Sequence, residues 1–259
     1  MFNHLQQREI FHLMFLRHFC PKIKTNTLSL KGGVNLRFFF NSHRYSEDLD
    51  LDIKDIETFQ LKDIVMGILE SRSLALTLRP FHINKIIPPD INVAKQTETT
   101  QRFKVHLITA SSENLFTKIE FSKRPMRDDI VVERVRDDVV FPYKIQTLSI
   151  PHYTAQAAFL QKIIALAERG KTQARDIYDL AWLKAFVDSQ ALNCRHRLGT
   201  EICAKAKGNI FKISFAIFRD TVQNYLNEEE RLLYQHPDSW EELQLRVCQI
   251  IEEIVENRL

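Results

Sequence analysis

Residues 28–53, LSLKGGVNLRFFFNSHRYSEDLDLDI, set a glycine pair after a short apolar run and end by alternating aspartate with leucine. Side chains alternate between the two faces of a strand, so Leu49, Leu51 and Ile53 can bury against helices while Asp48, Asp50 and Asp52 project from the other side. Carboxylates at i and i+2 lie roughly 7 Å apart along a strand. That is close enough to share a pair of divalent ions and too repulsive to leave without positive charge nearby. Gly32 and Gly33 let the backbone turn tightly, and a helix beginning at Val34 points unpaired N–H groups at its occupant, for which an anion such as phosphate is suited. A plain amphipathic edge strand would carry the same alternation. An EF-hand loop would not, because it needs a glycine and a distal bidentate glutamate where this segment has leucines at strand spacing.

The surrounding chain sets the context. With 259 residues and 44% hydrophobic content there is ample material for a buried core in one large domain or two small ones. A net charge of +3 is too mild to establish a nucleic-acid partner by itself. Cys20, Cys194, Cys203 and Cys248 form no CxxC pair, which fits buried thiols in a reducing compartment, the cytoplasm, better than a disulfide frame or a zinc site. Arg8, Glu9 and Arg17 interrupt the apolar amino terminus, which excludes a signal peptide and a membrane span there. Histidines show no HxxxH pair and no serine sits in a nucleophile elbow, so zinc-enzyme and hydrolase chemistry lack support.

Hydrophobic spacing predicts a packing helix over 5–19, closed by Pro21. It then predicts a strand over 27–31, a short helix over 34–40, a strand over 48–53 and a helix over 61–72. Strand-like runs follow at 75–87, 102–109 and 116–122. Beyond Ser149–Tyr153 the pattern turns helical, with segments near 155–169, 172–187, 201–206, 212–226 and 239–257. The expected fold is α+β: a mixed sheet flanked by helices over residues 1–150, then a helical domain over 151–259. Trp240, Phe211, Phe215 and Phe218 at helical spacing are expected to be core.

The motif in 28–53 resembles the AbiEii/AbiGii-type toxins of the nucleotidyltransferase superfamily, related to the MenT toxins and to DNA polymerase β. There a strand leads into KGGTAL, a short helix follows and R-x-S-x-D-L-D closes the motif. Here these read Lys31-Gly32-Gly33-Val34-Asn35-Leu36 and Arg44-Tyr45-Ser46-Glu47-Asp48-Leu49-Asp50. Val34 departs from the usual threonine and leaves phosphate binding to backbone N–H groups. The resemblance implies that Asp48 and Asp50 hold two Mg2+ ions and that Gly32, Gly33 and the helix start receive the triphosphate of an NTP, with Lys31 and Ser46 as further nucleotide-binding residues. A third carboxylate is expected from a neighbouring strand. Within LFTKIEFSK, Lys118 and Glu120 share one face, and Glu120 is the candidate, with a solvated Lys118/Glu120 pair as the alternative. Arg44 has two readings: contact with carboxylate or phosphate, or a structural ion pair.

On a helical projection of 154–169, Lys162 and Arg169 fall in one line beside Ala155, Ala158 and Ala165, with Phe159, Ile163 and Leu166 covering the packing side. Alanines leave open space beside the ammonium. The resemblance extends here, because K-x-x-A-L-x-x-R followed by R-D-x-x-D-L is the family's second signature, present as Lys162 to Arg169 and Arg175 to Leu180. Gln161 replaces the glutamate common before the lysine. By resemblance Lys162 and Arg169 bind triphosphate oxygens, and Asp176 positions the lysine or the attacking hydroxyl. Asp176 and Asp179 share one helical face, and an Arg175/Asp179 helix pair with capping charges is the structural alternative for them.

The implied function is metal-dependent transfer of NMP from an NTP to an acceptor hydroxyl, by resemblance a tRNA 3′ end, in a toxin restrained by a cognate antitoxin. The helical domain would complete the active-site cleft. Lys31, Arg37, Arg44, Lys123, Arg124, Arg127, Lys171 and Arg175 are candidates for steering RNA. Transfer to a protein or small molecule, or nucleotide or RNA binding without reaction, are the alternatives.

Overall fold

A computed structural model describes residues 2–90, 97–126, 129–187 and 198–256. The chain forms two compact units: Met1–Phe39 with Tyr45–Tyr153, and Phe40–Arg44 with Thr154–Leu259. The second unit thus takes five residues out of the 28–53 motif. No helix among the described residues is long and apolar enough to cross a membrane. Cys20, Cys203 and Cys248 are free thiols; Cys194 and Arg127 lie outside the described residues.

The first unit contains β1 (Leu28–Lys31), β2 (Asp48–Ile53), β3 (Ile83–Ile87), β4 (Thr100–Thr109), β5 (Asn114–Lys123), β6 (Ile130–Arg134) and β7 (Ser149–Tyr153). They build one mixed sheet in the order β3-β4-β5-β2-β1-β7-β6. Its helices are α1 (His4–Phe19), α2 (Gly32–Phe39), α3 (Thr58–Leu69), α4 (Arg72–Leu78) and the single turn α5 (Asp137–Val140). Asn3 starts α1 through a reciprocal capping box: its side chain accepts from the Gln6 N–H, and its own N–H donates to Gln6 Oε1. Ile10, Phe11, Leu13, Phe15, Leu16 and Phe19 of this helix are all buried. Phe19 meets Phe121 of β5 at 5.1 Å between ring centroids, so α1 covers the sheet face that also carries Ile119, Leu49 and Leu51.

Two expectations from the sequence are corrected. The run 75–87 is not one strand: Ser71 caps α4 by accepting from the Leu74 N–H, Pro80 sits in a 3-10 turn, and only Ile83–Ile87 is extended. LALTL alternates like a strand, yet Leu74 and Leu78 are also i and i+4, and both are fully buried on one helical face. The sheet also runs further than the apolar pattern suggests. β6 is a largely exposed edge strand with no alternating apolar residues, and it pairs with β7, which lies parallel to β1.

The second unit contains α6 (Ala155–Glu168), α7 (Ala174–Leu183), α8 (Thr200–Ile210), α9 (Phe215–Thr221), α10 (Glu228–Leu233) and α11 (Pro237–Glu256). Its core includes Phe159, Ile163, Leu180, Cys203, Val247 and Ile251. Trp240 stacks on Phe218 at 4.3 Å and donates its indole N–H to the Ile213 carbonyl. Phe211, expected in this core, is 57% exposed. Segment 40–44 is built into the same unit: Trp182 Nε1 donates to the Phe40 carbonyl, His43 Nδ1 lies 2.9 Å from Glu230, and Arg44 bridges to Leu226.

In the first unit, His12 is buried with Nε2 2.8 Å from Thr117 Oγ1, and Thr117 Oγ1 donates to the Glu47 carbonyl just before β2. Burial, aided by the charge of Arg8, lowers the His12 pKa to about 3. The unfolded chain therefore binds the extra proton first as pH falls below about 6.5, and stability is lost between there and about pH 3. This histidine is expected to cost about 2 kcal/mol between pH 7 and pH 5. Urea unfolding at both pH values should show that loss reduced in His12→Gln, which keeps the donor to Thr117.

Candidate functional site

The first unit assembles the acidic motif through strand register. Leu49, Leu51 and Ile53 are fully buried, which commits Asp48, Asp50 and Asp52 to the opposite face of β2. β5 runs parallel to β2 and sets Lys118 beside Asp48, Glu120 beside Asp50 and Ser122 beside Asp52. β4 sets Lys104 opposite Lys118 and Arg102 opposite Glu120.

The three aspartates have different surroundings. Asp52 is buried, ion-paired with Lys31 and accepts a 2.8 Å hydrogen bond from Tyr153 Oη, so it ties β1, β2 and β7 together. Lys31, expected at the nucleotide, is the cation in that pair. Asp48 receives the Lys118 ammonium at 2.8 Å. Asp50 makes no hydrogen bond or ion pair with any described residue. Burial pushes its pKa up, and the like charge of Asp48 adds to this against the partial relief from Lys118 and Lys31.

Gly32 is the close neighbour of Asp50. It adopts φ +70° at the start of α2, and a Cβ there would stand 2.9 Å from Asp50 Oδ2. Any other residue would face both backbone strain and a clash with the carboxylate. Gly33 and Val34 continue into α2, which Asn35 anchors by donating to the Tyr153 carbonyl and meeting His152 Nδ1 at 3.0 Å. Ser46 donates to the Asp48 carbonyl at 2.8 Å and so braces the entry to β2.

Glu120 lies on the same face as the two aspartates. It pairs with Arg102 at 2.7 Å and lies 3.9 Å from Lys118. Among the described residues no three carboxylate, histidine or cysteine side chains converge in metal-binding geometry. The donor set still suits a hard divalent cation: Asp48 and Asp50 offer carboxylate oxygens on one face, Asp50 has no counter-ion of its own, and the lysine on Asp48 marks where positive charge is favoured.

The second unit buries the other motif. Lys162 donates to Asp176 at 3.0 Å and lies 2.6 Å from Asp179, and both carboxylates are fully buried. The alanine-lined space expected beside this ammonium is thus taken by two acids. Arg44 grips Asp179 with two hydrogen bonds, Nε to Oδ1 at 3.0 Å and NH2 to Oδ2 at 2.9 Å. Burial alone would raise the Asp179 pKa, but Arg44 and Lys162 outweigh it and hold it at about 2. Arg169 Nε stands 3.6 Å from Asp176 Oδ2 and the same guanidinium reaches Gln173.

The family model described as "Nucleotidyl transferase AbiEii toxin, Type IV TA system" matches residues 15–246. The chain belongs to the AbiEii nucleotidyltransferase toxin family. The match spans both units and both motifs of this AbiEii-family chain. Among solved structures it resembles MenT4, a nucleotidyltransferase toxin from Mycobacterium tuberculosis H37Rv, at 16% identity and TM-score 0.59, covering 97% of this chain and 82% of that one. It also resembles JHP933 from Helicobacter pylori at 19% identity and TM-score 0.50, covering 98% and 92%. These likenesses show the fold. The sequence has no match among curated proteins.

In the sequence of this AbiEii chain Lys118 stands out only as a partner of Glu120. Its contact with Asp48 depends on strand register, which no local pattern states. Of the two readings of Asp179 the helix-surface pair with Arg175 does not hold: the residue is a buried partner of Arg44 and Lys162, and only its place in the RDxxDL signature marks it in the sequence. Of the proposed steering cations, Arg37 is paired with Glu9 at 2.7 Å and stacked over Tyr45. Lys31 and Arg44 are taken up by Asp52 and Asp179.

Two stability outcomes follow from this geometry. In metal-free buffer Asp50→Asn is expected to raise the thermal midpoint by removing a repelled charge, whereas Asp52→Asn lowers it, at a cost of about 3 kcal/mol in unfolding free energy through a broken buried pair. Arg44→Met is expected to cost about 3 kcal/mol in urea unfolding, and Arg44→Lys to restore little because an ammonium cannot replace the two-pronged contact.

Proposed function

We propose that this nucleotidyltransferase moves NMP from an NTP to the terminal hydroxyl of an RNA, a tRNA 3′ end, and so acts as the toxin of its system. The observation that carries this reading is the pair Asp48 and Asp50, set on one face of β2 against a glycine whose missing side chain makes room for the second carboxylate. Such repulsion, and a position that only glycine can fill beside it, serve a cation and a polyphosphate and have no use in a passive scaffold.

Asp48 and Asp50 would hold Mg2+, with Glu120 as the third carboxylate. Bound there, two such ions neutralise phosphate charge and favour ionisation of the attacking hydroxyl. Gly32, Gly33 and the α2 N-terminus offer backbone N–H groups to the triphosphate. Lys118 balances the charge of Asp48 and would yield that place to a bound cation. Lys162 supplies positive charge for triphosphate oxygens, with Arg169 beside it, while Asp176 and Asp179 fix the direction of its ammonium. Lys31 and Ser46 act by holding β2 in place. A cognate antitoxin is the proposed protein partner, in keeping with the family, and the cytoplasm is the proposed compartment.

Incubation of the purified protein with each labelled NTP, Mg2+ and total tRNA tests this reading. Label is expected on the RNA 3′ end, falling about 1000-fold or more in Asp48→Asn and Asp50→Asn. Label on protein or on a small molecule would move the acceptor; retained nucleotide binding without any transfer would end the catalytic reading.

A further inference from the structure

The sheet face that carries Asp48 and Asp50 continues past them across β5, β4 and β3. Alternation puts Phe116, Lys118 and Glu120 of β5 on this face, with Arg102, Lys104 and His106 of β4 opposite them, because Leu115, Thr117, Ile119, Phe103, Val105 and Leu107 are all buried on the other side. β3 adds Lys85, which is exposed. Three features stand out on this open surface. Phe116 is 59% exposed, and its ring stacks on His106 at 4.6 Å and 22°. Lys104, exposed, stands directly opposite Lys118, whose own ammonium is paired with Asp48, so the two lysines extend positive charge from the acidic pair onto the open face. Phe116 lies one diagonal step, about 7–8 Å, from the strand position of Asp48, with His106 one strand further out.

An exposed cross-strand aromatic stack flanked by lysines on an open sheet matches what unpaired bases require: a flat apolar platform for stacking and cations for the backbone. A duplex, whose bases already stack on each other, has no use for the platform. We propose that the open face of β3, β4 and β5 is the docking surface for the single-stranded end of the acceptor RNA. One base stacks on Phe116 and His106, and phosphates meet Lys104 and Lys85. This rests on the reading that the acceptor is RNA, and it places the strand beside Asp48 and Asp50. It also shifts RNA recognition from the cations the sequence singled out to a set that only strand pairing brings together.

The test measures binding of a short fluorescein-labelled single-stranded RNA to the full chain by anisotropy, in the absence of NTP. Phe116→Ala is expected to weaken binding about 5- to 100-fold. Lys104→Ala and Lys85→Ala are each expected to lower the slope of log K against log salt by about 0.7. All three side chains are exposed, so thermal midpoints and binding of a fluorescent NTP should stay as in the wild type. Unchanged RNA binding in Phe116→Ala and Lys104→Ala, with label still reaching tRNA, would overturn the docking face and leave the transferase reading intact. Equal binding of duplex and single strand, both indifferent to Phe116→Ala, would also overturn it. So would variants that keep RNA but lose a purified antitoxin, which would give the face to a protein. Label on protein alone would remove the RNA reading and this face with it.

Discussion

Two carboxylates of like charge, Asp48 and Asp50, are held on one strand face by the burial of the leucines between them. Burying Leu49, Leu51 and Ile53 is worth roughly 1.5–3 kcal/mol for each side chain, which outweighs the repulsion of two partly buried acids with lysine charge beside them. The apolar face therefore decides the register, and the acids accept the consequence. Each nearby feature then acts on that repulsion: Lys118 neutralises Asp48, Arg102 neutralises Glu120, and Gly32 makes room for Asp50.

The third aspartate shows how location alone changes chemistry. Asp52 differs from Asp50 by one pleat, yet it meets Lys31 and Tyr153 and becomes a structural cross-link. Asp50, without such partners, has a raised pKa and remains available. One alternating run thus supplies both the repelling pair and the anchor that steadies it.

The helical unit treats charge differently. Lys162, Asp176, Asp179 and Arg44 form a buried network in which two cations meet two anions. Desolvation makes such a group costly unless every charge is compensated, so it fixes side-chain direction more than it adds stability. Arg44 is the unexpected member. It stands four residues before Asp48 in sequence, and the chain between α2 and β2 delivers it to the helical unit, where it holds the acid that in turn holds Lys162.

Periodicity alone determined much of this protein: the face division of DLDLDI, the packing helix α1, the strands β2, β4 and β5, and the helical character after residue 153. These follow from local sterics and the separation of apolar from polar residues, both written in short windows. The resemblance of KGGVNL, RYSEDLD and RDIYDL to known motifs supplied the family, which the match over residues 15–246 shows. Strand pairing and long-range packing decided the rest. LALTL became helix because Leu74 and Leu78 found one buried side, and β6 joined the sheet through backbone hydrogen bonds that need no apolar pattern. Lys118 met Asp48, and Arg44 met Asp179 across 135 positions of chain. Such contacts depend on which distant residues the fold brings within a few ångströms, and a one-residue slip in register would have exchanged every partner.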